Sequence, residues 1–355
     1  MKKEINLFIH DYFQNFGGGE RLILSLVNKK DLIITSFVNK KLKNIVNKKI
    51  ITLQKNFNRS LYIKKFLTPF YFYFLNYNKL TKNCFVSGNY SILFNTNYVK
   101  NKIFYCHALP KIFFDFKNFY NKKSILLRLI IFLTGLYYKK LYLYKLKKFD
   151  KVVVNSKYTK SKLQKYLKKK IFVVYPPIKN FKSNRTNYKN FFLSNSRHET
   201  EKNLDKIVKA FNKIDKYRLL ITSEGSQTTK LKFLSKKNKR IKFLGIVSEK
   251  KYKMLLNQCL GTINLGKHED FGMSALEGMT AGKPSFVINQ GGYKETCKNN
   301  YNSFFVSKDN IEKDLIKKIN NFSIHKSKKM KLNCIKTGTK YSQSKFLHEI
   351  NKLFI

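Results

Sequence analysis

The sequence predicts an α/β protein built from two Rossmann-like domains, with parallel sheets that face a central cleft. Short apolar runs recur along the chain with amphipathic helical stretches between them, the pattern of parallel strands covered by helices on both faces. This rhythm stops once, near residues 178–190, and then starts again. The 355 residues and the hydrophobic fraction of 43% are sufficient for two packed cores.

Twelve apolar runs are predicted to be strands, six on each side of the break. Those before it are Ile5–Ile9, Leu32–Phe37, Ile92–Asn95, Ile103–Cys106, Val152–Asn155 and Phe172–Tyr175. Those after it are Phe191–Ser194, Leu219–Thr222, Ile241–Leu244, Thr262–Leu265, Ser285–Ile288 and Phe304–Val306. The helix predicted over Asn203–Ile214 shows the intervening pattern, because its apolar residues recur at helical spacing and its lysines fall elsewhere.

The break in the rhythm sets the predicted domain boundary. Pro176 and Pro177 end a strand, and the polar, unpatterned segment 178–187 that follows is typical of a linker. We therefore predict a first domain over residues 1–180 and a second over residues 188–335. Residues 336–355 are predicted to form a C-terminal helix that packs back on the first domain. A cleft between two such domains would collect the carboxyl ends of strands and the amino ends of helices.

The charge balance is extreme, with 73 Lys and Arg against 20 Asp and Glu and a net charge of +53. A compositional bias toward lysine on every solvated surface explains part of it, because the lysines are spread along the whole chain. Attraction to an anionic membrane surface is the second explanation, and the aromatic and lysine-rich stretch 111–149 favours it. Nucleic-acid binding is the third, but the sequence has no zinc spacing, helix-turn-helix or RNA-recognition signature.

The cysteines and the apolar runs of the sequence indicate in which cellular compartment the protein is expected. The five cysteines include no C-x-x-C pair, which argues against a disulfide framework or a zinc site and favours a cytoplasmic protein. We expect no secretory signal at residues 1–5, which lead directly into a short strand. The apolar run Ile125–Tyr138 is too short to span a membrane and contains Arg128. It is predicted to be a buried helix or a helix lying in the membrane interface, which leaves attachment to the inner face of the plasma membrane open.

The strongest local signal for chemistry is the acidic run His268–Met279. Glu269 lies in the loop after a predicted strand, and a helix is expected to start near Gly272. Glu277 then lies about 7–8 Å along that helix at 1.5 Å per residue. Two carboxylates beside a helix N-terminus can bind different hydroxyl groups of one polyhydroxyl ligand. The plainer interpretation is a capping acid followed by a solvated helix acid.

Basic and glycine-rich turns supply two further signals. Arg197 and Lys202 occupy another strand-to-helix turn, where two cations suit a diphosphate, although isolated cations mean little in so basic a chain. Three glycines at 17–19 precede a helix and allow close backbone approach to a ligand. The glycine run does not have the spacing of a dinucleotide-binding or ATP-binding loop, and a flexible turn is its alternative.

Two more turns complete the set of candidate positions. His107 follows a predicted strand, where it could contact a reacting sugar or an acceptor, although a lone histidine is more often structural. Gly291 and Gly292 follow another strand and precede Glu295. No Asp-x-Asp motif for a metal-bound diphosphate is present in the sequence. We therefore expect no metal requirement, with cationic side chains and helix dipoles neutralising a leaving diphosphate instead.

Taken in order, these motifs resemble the retaining glycosyltransferases of family four, which have the GT-B fold. The resemblance covers nearly the whole chain, and the branch it is closest to contains mannosyltransferases of surface-polysaccharide assembly, including lipopolysaccharide. The matching segments are His10-Asp11-Tyr12, Gly17-Gly18-Gly19 with Glu20-Arg21, Tyr105-Cys106-His107, Val154-Asn155-Ser156, Tyr175-Pro176-Pro177, Arg197 with Lys202, Glu269 with Glu277, and Gly291-Gly292 with Glu295-Thr296.

The resemblance implies a role for each matching residue. The first domain would lie on the acceptor side and the second would bind the donor. The implied catalytic residues, which contact the sugar or the diphosphate, are His107, Glu269, Arg197 and Lys202. The implied donor-binding residues are Gly18, Gly19, Phe271, Gly272, Met273 and Glu277, of which Glu277 would hold the nucleotide ribose.

The sequence thus predicts a hexosyltransferase that moves a mannose-like sugar from a nucleotide diphosphate donor to a lipid-linked or surface glycan. The donor would be GDP-mannose or a UDP-sugar, no metal or other cofactor would be needed, and an anionic membrane surface would be a further partner. A nucleotide-sugar epimerase on the same fold is one alternative. A basic nucleic-acid-binding protein is the other.

Overall fold

The computed structural model of the protein describes residues 6–14, 17–39, 42, 49–54, 59–77, 81–95, 99–114, 125–182 and 187–354. The chain forms two compact units. The first contains residues 1–176 together with residues 344–355, and the second contains residues 177–343. Two segments with predictions lie outside the described residues. They are residues 1–5, where no secretory signal is expected, and residues 183–186 of the predicted linker.

The described part of the first unit contains a parallel sheet of seven strands. In chain order they are β1 Leu7–His10, β2 Leu32–Thr35, β3 Lys49–Thr52, β4 Thr81–Ser87, β5 Val99–Cys106, β6 Lys151–Val154 and β7 Ile171–Val173. Their order across the sheet is β3-β2-β1-β4-β5-β6-β7. Both β1 and β2 are buried along their whole length, because apolar clusters cover the sheet on both faces.

The predicted strand Ile92–Asn95 is wrong, since Ser91–Leu93 forms a 3₁₀ helix instead. The buried carboxylate of Asp11 accepts hydrogen bonds from the backbone N–H groups of Asn89, Tyr90 and Ser91, at 2.7–2.9 Å, and this holds the chain in a turn. The strand that precedes this turn, β4, was not predicted. Neither was the edge strand β3, whose residues alternate between exposed and partly buried.

Five helices are described in the part of the first unit that precedes residue 177. They are α1 Gly18–Leu26, α2 Leu61–Tyr73, α3 Lys111–Phe114, α4 Ile125–Lys147 and α5 Lys157–Gln164. Helix α4 extends well beyond the apolar run that predicted it, through several lysines. Among the described residues, no helix is both long enough and apolar enough to cross a membrane.

The described part of the second unit contains a parallel sheet of six strands in the order β10-β9-β8-β11-β12-β13. The strands are β8 Phe191–Ser194, β9 Arg218–Ile221, β10 Ile241–Phe243, β11 Gly261–Asn264, β12 Ser285–Ile288 and β13 Ser303–Val306. The helices are α6 Leu204–Phe211, α7 Thr228–Leu234, α8 Glu249–Gln258, α9 Met273–Thr280, α10 Tyr293–Thr296, α11 Ile311–Asn320 and α12 Ile324–Gly338. Two parallel sheets covered by helices confirm the predicted α/β fold class.

Aromatic packing fixes the middle of the second sheet. Phe192 on β8 is fully buried and its ring centroid lies 5.3–6.1 Å from those of four other aromatic rings. These rings belong to Phe211, Tyr217, Phe286 and Phe322. Edge-on aromatic contacts of this kind add to the free energy of area burial. Phe192 on β8 thus meets Phe286 on β12 across β11, which lies between them, and the candidate site is built at the carboxyl end of these strands.

The last helix, α13 Gln343–Asn351, packs on the first unit. Phe346 and Ile350 join the apolar cluster beneath the first sheet, and the Phe346 ring meets Tyr105 edge-on with centroids 6.2 Å apart. Lys151 donates a hydrogen bond of 2.5 Å to the carbonyl oxygen of Leu353. Residues 336–338, from which a terminal helix was predicted, instead complete α12 in the second unit.

Candidate functional site

In the second unit, the predicted site residues follow the carboxyl ends of neighbouring strands. Arg197 and Lys202 follow β8, Glu269 and Glu277 follow β11, and a double-glycine turn follows β12. These three strands lie side by side and run parallel. Their carboxyl ends therefore meet at one edge of the sheet, which is the usual ligand-binding edge of open α/β sheets.

Lys202 and Glu269 form a direct ion pair. The Lys202 Nζ lies 2.6 Å from Glu269 Oε2, and both side chains keep about a fifth of their surface exposed. A methyl group added at Gly266 would lie 2.9 Å from that carboxylate oxygen and 3.4 Å from Lys202 Cδ, so a larger residue would crowd the pair. The structure thus brings one predicted cation and one predicted acid together in a partly open position, within reach of a ligand.

The backbone around Lys202 is held by Asn203. Asn203 adopts a left-handed conformation with φ of 53°, and its amide donates a 2.7 Å hydrogen bond to the carbonyl oxygen of Leu265. The Lys267 N–H donates to the carbonyl oxygen of Glu201 at 2.8 Å. These bonds join the turn after β8 to the loop after β11. The Lys202–Glu269 pair is therefore supported by backbone contacts as well as by charge.

Glu277 occupies a more enclosed position on α9. Its side chain is 8% exposed, and Oε2 accepts hydrogen bonds from the Tyr252 hydroxyl at 2.9 Å and from the Asn195 amide at 3.3 Å. The Asn195 amide also bonds to the Tyr252 hydroxyl. A buried carboxylate needs such donors to offset the loss of water. The bonds fix the carboxylate in one orientation at the sheet edge.

The loop between the two glutamates depends on Gly272. This residue has φ of +86°, a conformation that favours glycine, and a methyl group there would lie 2.7 Å from the Tyr293 ring. Helix α9 begins at the next residue, Met273, without a side-chain cap. Phe271 is buried and meets Tyr341 edge-on, with centroids 5.2 Å apart. The first N–H groups of α9 are thus left without a side-chain cap beside the acidic loop.

The double-glycine turn packs directly on this loop. The Gly292 N–H donates a 2.8 Å hydrogen bond to the carbonyl oxygen of Glu269. Methyl groups added at Gly291 or Gly292 would lie 2.5 Å from the Glu269 carbonyl oxygen and 2.3 Å from the Asp270 carbonyl oxygen, respectively. Such distances are far inside contact range, so the turn and the acidic loop fit together only because both residues are glycine.

Arg197 is placed differently from Lys202. Its side chain is exposed and makes no hydrogen bond or ion pair with any described residue. Sequence reasoning grouped the two cations, but only Lys202 contacts a predicted acid. Conversely, Asn195 and Tyr252 hold Glu277 and were not predicted. Asn195 directly follows β8, where a polar residue could have been suspected, whereas Tyr252 lies within helix α8 and carried no local signal.

In the first unit, α1 begins within the glycine run. Gly17 is the residue before the helix and supplies no side-chain cap, so the N–H groups of Gly18 and Gly19 lie in the uncapped first turn. A methyl group at Gly19 would lie 3.5 Å from His107 Nε2 and 3.6 Å from His10 Cε1. The helix N-terminus and two imidazole rings therefore converge at one point. His10, which was not predicted as a site residue, belongs to this group.

His107 is held by three neighbours. Its Nε2 lies 2.6 Å from the Ser87 hydroxyl, and its backbone carbonyl accepts a 2.6 Å hydrogen bond from the Asn155 amide. His10 Nδ1 lies 2.8 Å from the carbonyl oxygen of Ser87 and its ring meets His107 edge-on at 6.4 Å. Burial, followed by the nearby His10, lowers the pKa of His107 from 6.5 to about 3. His107 is therefore a neutral hydrogen-bonding group at pH 7.

The lowered pKa of His107 predicts a pH-dependent stability. Between pH 6.5 and about 3 the unfolded chain binds a proton at this residue and the folded chain does not, so stability falls as the pH drops below 6.5. Because the residue as a whole is half-buried, the loss in the free energy of unfolding on going from pH 7 to pH 5 is at most about 2 kcal/mol. Thermal unfolding of the wild type and His107→Gln at both pH values measures it. Equal losses in the two proteins would contradict the assignment.

Neither a disulfide bond nor a cluster of metal ligands is present among the described residues. All five cysteines are buried and free of disulfides. Across the parts of the chain that the structure describes, no group of three or more His, Cys, Asp or Glu side chains is arranged to hold a metal ion.

The sequence is similar to a known protein family and to curated proteins. Residues 177–341 match the family described as glycosyl transferases group 1. Uncharacterized glycosyltransferase MJ1178 of Methanocaldococcus jannaschii is 29% identical over 184 residues, covering 50% of this chain and 52% of that protein. Alpha-1,3/1,6-mannosyltransferase ALG2 of Dictyostelium discoideum is 31% identical over 195 residues, covering 41% and 46%. The chain spans about half the length of these curated relatives.

Comparison with solved structures extends over both units. Anabaena HepE in complex with UDP and glucose has a TM-score of 0.74 at 14% identity, covering 98% of both chains. Sucrose-phosphate synthase from Thermosynechococcus elongatus has a TM-score of 0.75 at 14% identity, covering 99% of this chain and 98% of that one. A glycosyltransferase from Rickettsia africae reaches 0.67 at 19% identity, covering 99% and 98%. Identities this low establish the fold alone, and the predicted GT-B fold class is confirmed.

Proposed function

We propose that the protein transfers a hexose from a nucleotide diphosphate donor, on the premise that residues 177–341 match the glycosyl transferases group 1 family. The acceptor in this proposal is a lipid-linked or surface glycan, and the sugar is transferred with retention of its anomeric configuration. The prediction of a glycosyltransferase domain is confirmed by the family match, whereas the donor, acceptor and linkage are the content of the proposal.

The proposal rests on the arrangement of three charged side chains in the second unit. At the carboxyl edge of the second sheet, Lys202 is paired with Glu269, and the carboxylate of Glu277 on α9 is held in a fixed orientation. A cation beside a helix N-terminus suits a diphosphate, and two separated carboxylates suit the hydroxyl groups of a sugar and a ribose. A nucleotide sugar contains all of these groups in one molecule.

The relatives supply the choice of donor class. The HepE structures hold UDP, UDP with glucose, or UDP-glucose, and ALG2 is named as a mannosyltransferase. A further neighbour in fold is the lipopolysaccharide outer core galactosyltransferase WaaB. These names support a hexose carried on a nucleoside diphosphate and a glycan acceptor. We favour a mannose-like sugar, carried on GDP or UDP, because the ordered motifs resemble surface-polysaccharide mannosyltransferases.

In the proposed reaction, the bond between the anomeric carbon and the diphosphate oxygen breaks while the acceptor oxygen bonds to that carbon. Lys202 and the uncapped N–H groups of α9 would stabilise the negative charge that develops on the leaving diphosphate. The acceptor proton would pass to the leaving phosphate on the same face. His107, neutral at pH 7, would donate or accept a hydrogen bond at the sugar. No metal is required in this proposal.

A donor-protection experiment tests the site. GDP- and UDP-sugars are screened for an increase in the unfolding midpoint, since a ligand that binds the native state stabilises it by mass action. In Glu277→Gln, loss of a charged acceptor for the ribose is expected to weaken donor binding by about tenfold or more. The matched control is Asp215→Asn, which removes an exposed acid paired with Arg240 before the amino ends of β9 and β10.

The outcomes separate the alternatives. Undiminished protection of Glu277→Gln by every donor that protects the wild type would contradict the site assignment. Product analysis with and without an acceptor glycan then distinguishes transfer from epimerisation, because an epimerase converts the nucleotide sugar without any acceptor.

A further inference from the structure

Large apolar side chains are exposed in one part of the molecule far more than elsewhere. Among the described residues, twenty-two large apolar side chains are exposed, and fourteen of them belong to α2 with its C-cap residue and to α4. Exposed apolar side chains concentrated in one part of a soluble protein mark sites of protein or membrane interaction. The exposed side chains of these two helices are called the two-helix face below.

Helix α2 contributes an aromatic stripe. Its exposed apolar residues are Leu61, Tyr62, Ile63, Phe66, Phe70, Tyr73 and the C-cap Phe74. Tyr62, Phe66, Phe70 and Tyr73 follow one another at intervals of three or four residues, so they lie along one side of the helix. Tyr62 is 88% exposed and Phe66 is 70% exposed, while the opposite side packs inward through the fully buried Phe72.

Helix α4 contributes a second exposed apolar set, part aliphatic and part aromatic, together with lysines. Its exposed apolar residues are Ile125, Leu129, Phe132, Leu133, Leu136, Tyr137 and Tyr144. Exposed lysines lie at 140 and 147 in the C-terminal half of the helix, and the exposed Lys148 follows it directly. The two helices come together at their C-terminal ends, where Lys145 Nζ lies 5.9 Å from the centre of the Tyr73 ring.

The charge around this face is one-sided. Residues 32–149 contain 23 Lys and Arg and a single acidic residue, Asp115, whereas the second unit contains 13 of the chain's 20 acidic residues. A uniform lysine bias would not remove acids from one region alone. The depletion of carboxylates is therefore a feature of this segment and not of the whole composition, and it leaves the two-helix face with no negative charge of its own.

We propose that the two-helix face binds the headgroup and outer acyl region of an anionic lipid bilayer. Aromatic and aliphatic side chains beside lysines are the composition of helices that lie in a membrane interface. Each lysine near an anionic surface adds attraction, which salt screens. This sharpens the expectation for residues 111–149 by assigning half of the surface to α2, and it requires nothing of the donor site.

The composition of the two-helix face also argues against two other binding partners, a second copy of the chain and a nucleic acid. A second copy of the chain would bring two strongly basic faces together, which is repulsive. A nucleic acid would match the charge and could stack on the exposed rings, but it would leave the aliphatic side chains of α4, such as Leu129 and Leu133, in water. A bilayer with anionic headgroups satisfies both the apolar and the basic parts of the face.

Vesicle co-sedimentation tests the proposal with the full chain. Wild-type protein is expected to bind vesicles that contain phosphatidylglycerol, to bind pure phosphatidylcholine vesicles much less, and to lose affinity in high salt. The double variant Phe66→Ser with Phe70→Ser is expected to bind anionic vesicles roughly tenfold less tightly, or worse. The matched control is Phe233→Ser with Leu332→Ser, which removes two even more exposed apolar side chains from the second unit. Unchanged unfolding midpoints establish that both variants are folded.

A second measurement uses the absence of tryptophan from the chain. Phe70→Trp places a single fluorophore on the two-helix face, and Phe233→Trp places one on the second unit. Anionic vesicles are expected to shift the emission of the first to shorter wavelength and to leave the second unchanged. An unshifted Phe70→Trp variant, equal binding to neutral vesicles, or full binding by the double serine variant would overturn the proposal. So would a shift caused by a single-stranded oligonucleotide and by no vesicle.

Discussion

Lys202→Met is expected to lower kcat/KM for sugar transfer by about 10²–10³. The variant keeps most of the side-chain length and removes the positive charge that lies 2.6 Å from Glu269. In the proposed reaction, negative charge grows on the diphosphate as its bond to the sugar breaks, so a fixed cation stabilises the transition state more than the ground state. The loss should therefore appear mainly in kcat and less in the KM for the donor.

A double variant separates this role from a structural one. Lys202→Met leaves the Glu269 carboxylate without its cation, which costs stability, and adding Glu269→Gln removes that unpaired charge. The double variant should recover the unfolding midpoint, and its turnover should be well below that of Glu269→Gln alone, which is the reference because Glu269 itself contacts the donor in the proposal. Arg240→Met, which breaks the exposed pair with Asp215, is the control and should change turnover little. Equal turnover in the double variant and in Glu269→Gln alone would show that Lys202 acts only by neutralising Glu269.

Much of the fold was predictable because buried parallel strands leave a simple pattern. The bounds of β8 and β12 agree with their predicted runs to the residue, since every position in each strand is buried and apolar or small. The failures lie where side-chain contacts override the pattern. The run Ile92–Asn95 is apolar enough for a strand, but Asp11, some 80 residues earlier, binds its N-terminal flank and turns the chain. A contact so distant in sequence leaves no local sign.

The candidate site was predictable to the extent that it is local. Glu269, Gly272 and Glu277 share one strand-loop-helix segment, and Lys202 lies after the adjacent strand β8, so the parallel topology brings them to the same edge. Tyr252 and Ser87 were not predictable in this way. Tyr252 reaches Glu277 from a helix after β10, and β10 is separated from β8 by β9 in the sheet. In the sequence it is one more aromatic residue on an amphipathic helix.

The second large effect is expected for Gly292→Ala, because the double-glycine turn packs tightly against the backbone of the acidic loop. The φ of Gly292 is −64°, which alanine adopts freely, so any effect of the substitution is steric. The new methyl group would lie 2.3 Å from the carbonyl oxygen of Asp270 and 2.6 Å from the Cα of Phe271, both backbone atoms that cannot rotate away. The acidic loop must shift. We expect a loss of about 1–3 kcal/mol in the free energy of unfolding.

The same shift should reduce function more than stability, because it moves Glu269 and the start of α9 together. Misplacement of a positioned group by about 1 Å can cost roughly 10² in rate, so kcat/KM should fall at least that far. Gly135→Ala is the control, since its methyl group would meet only Phe113 at an ordinary 3.5 Å. Donor protection, turnover and unfolding midpoints of the two variants decide the matter. Normal turnover in Gly292→Ala would contradict this prediction, because catalysis would then not depend on the position in which the double-glycine turn holds the acidic loop.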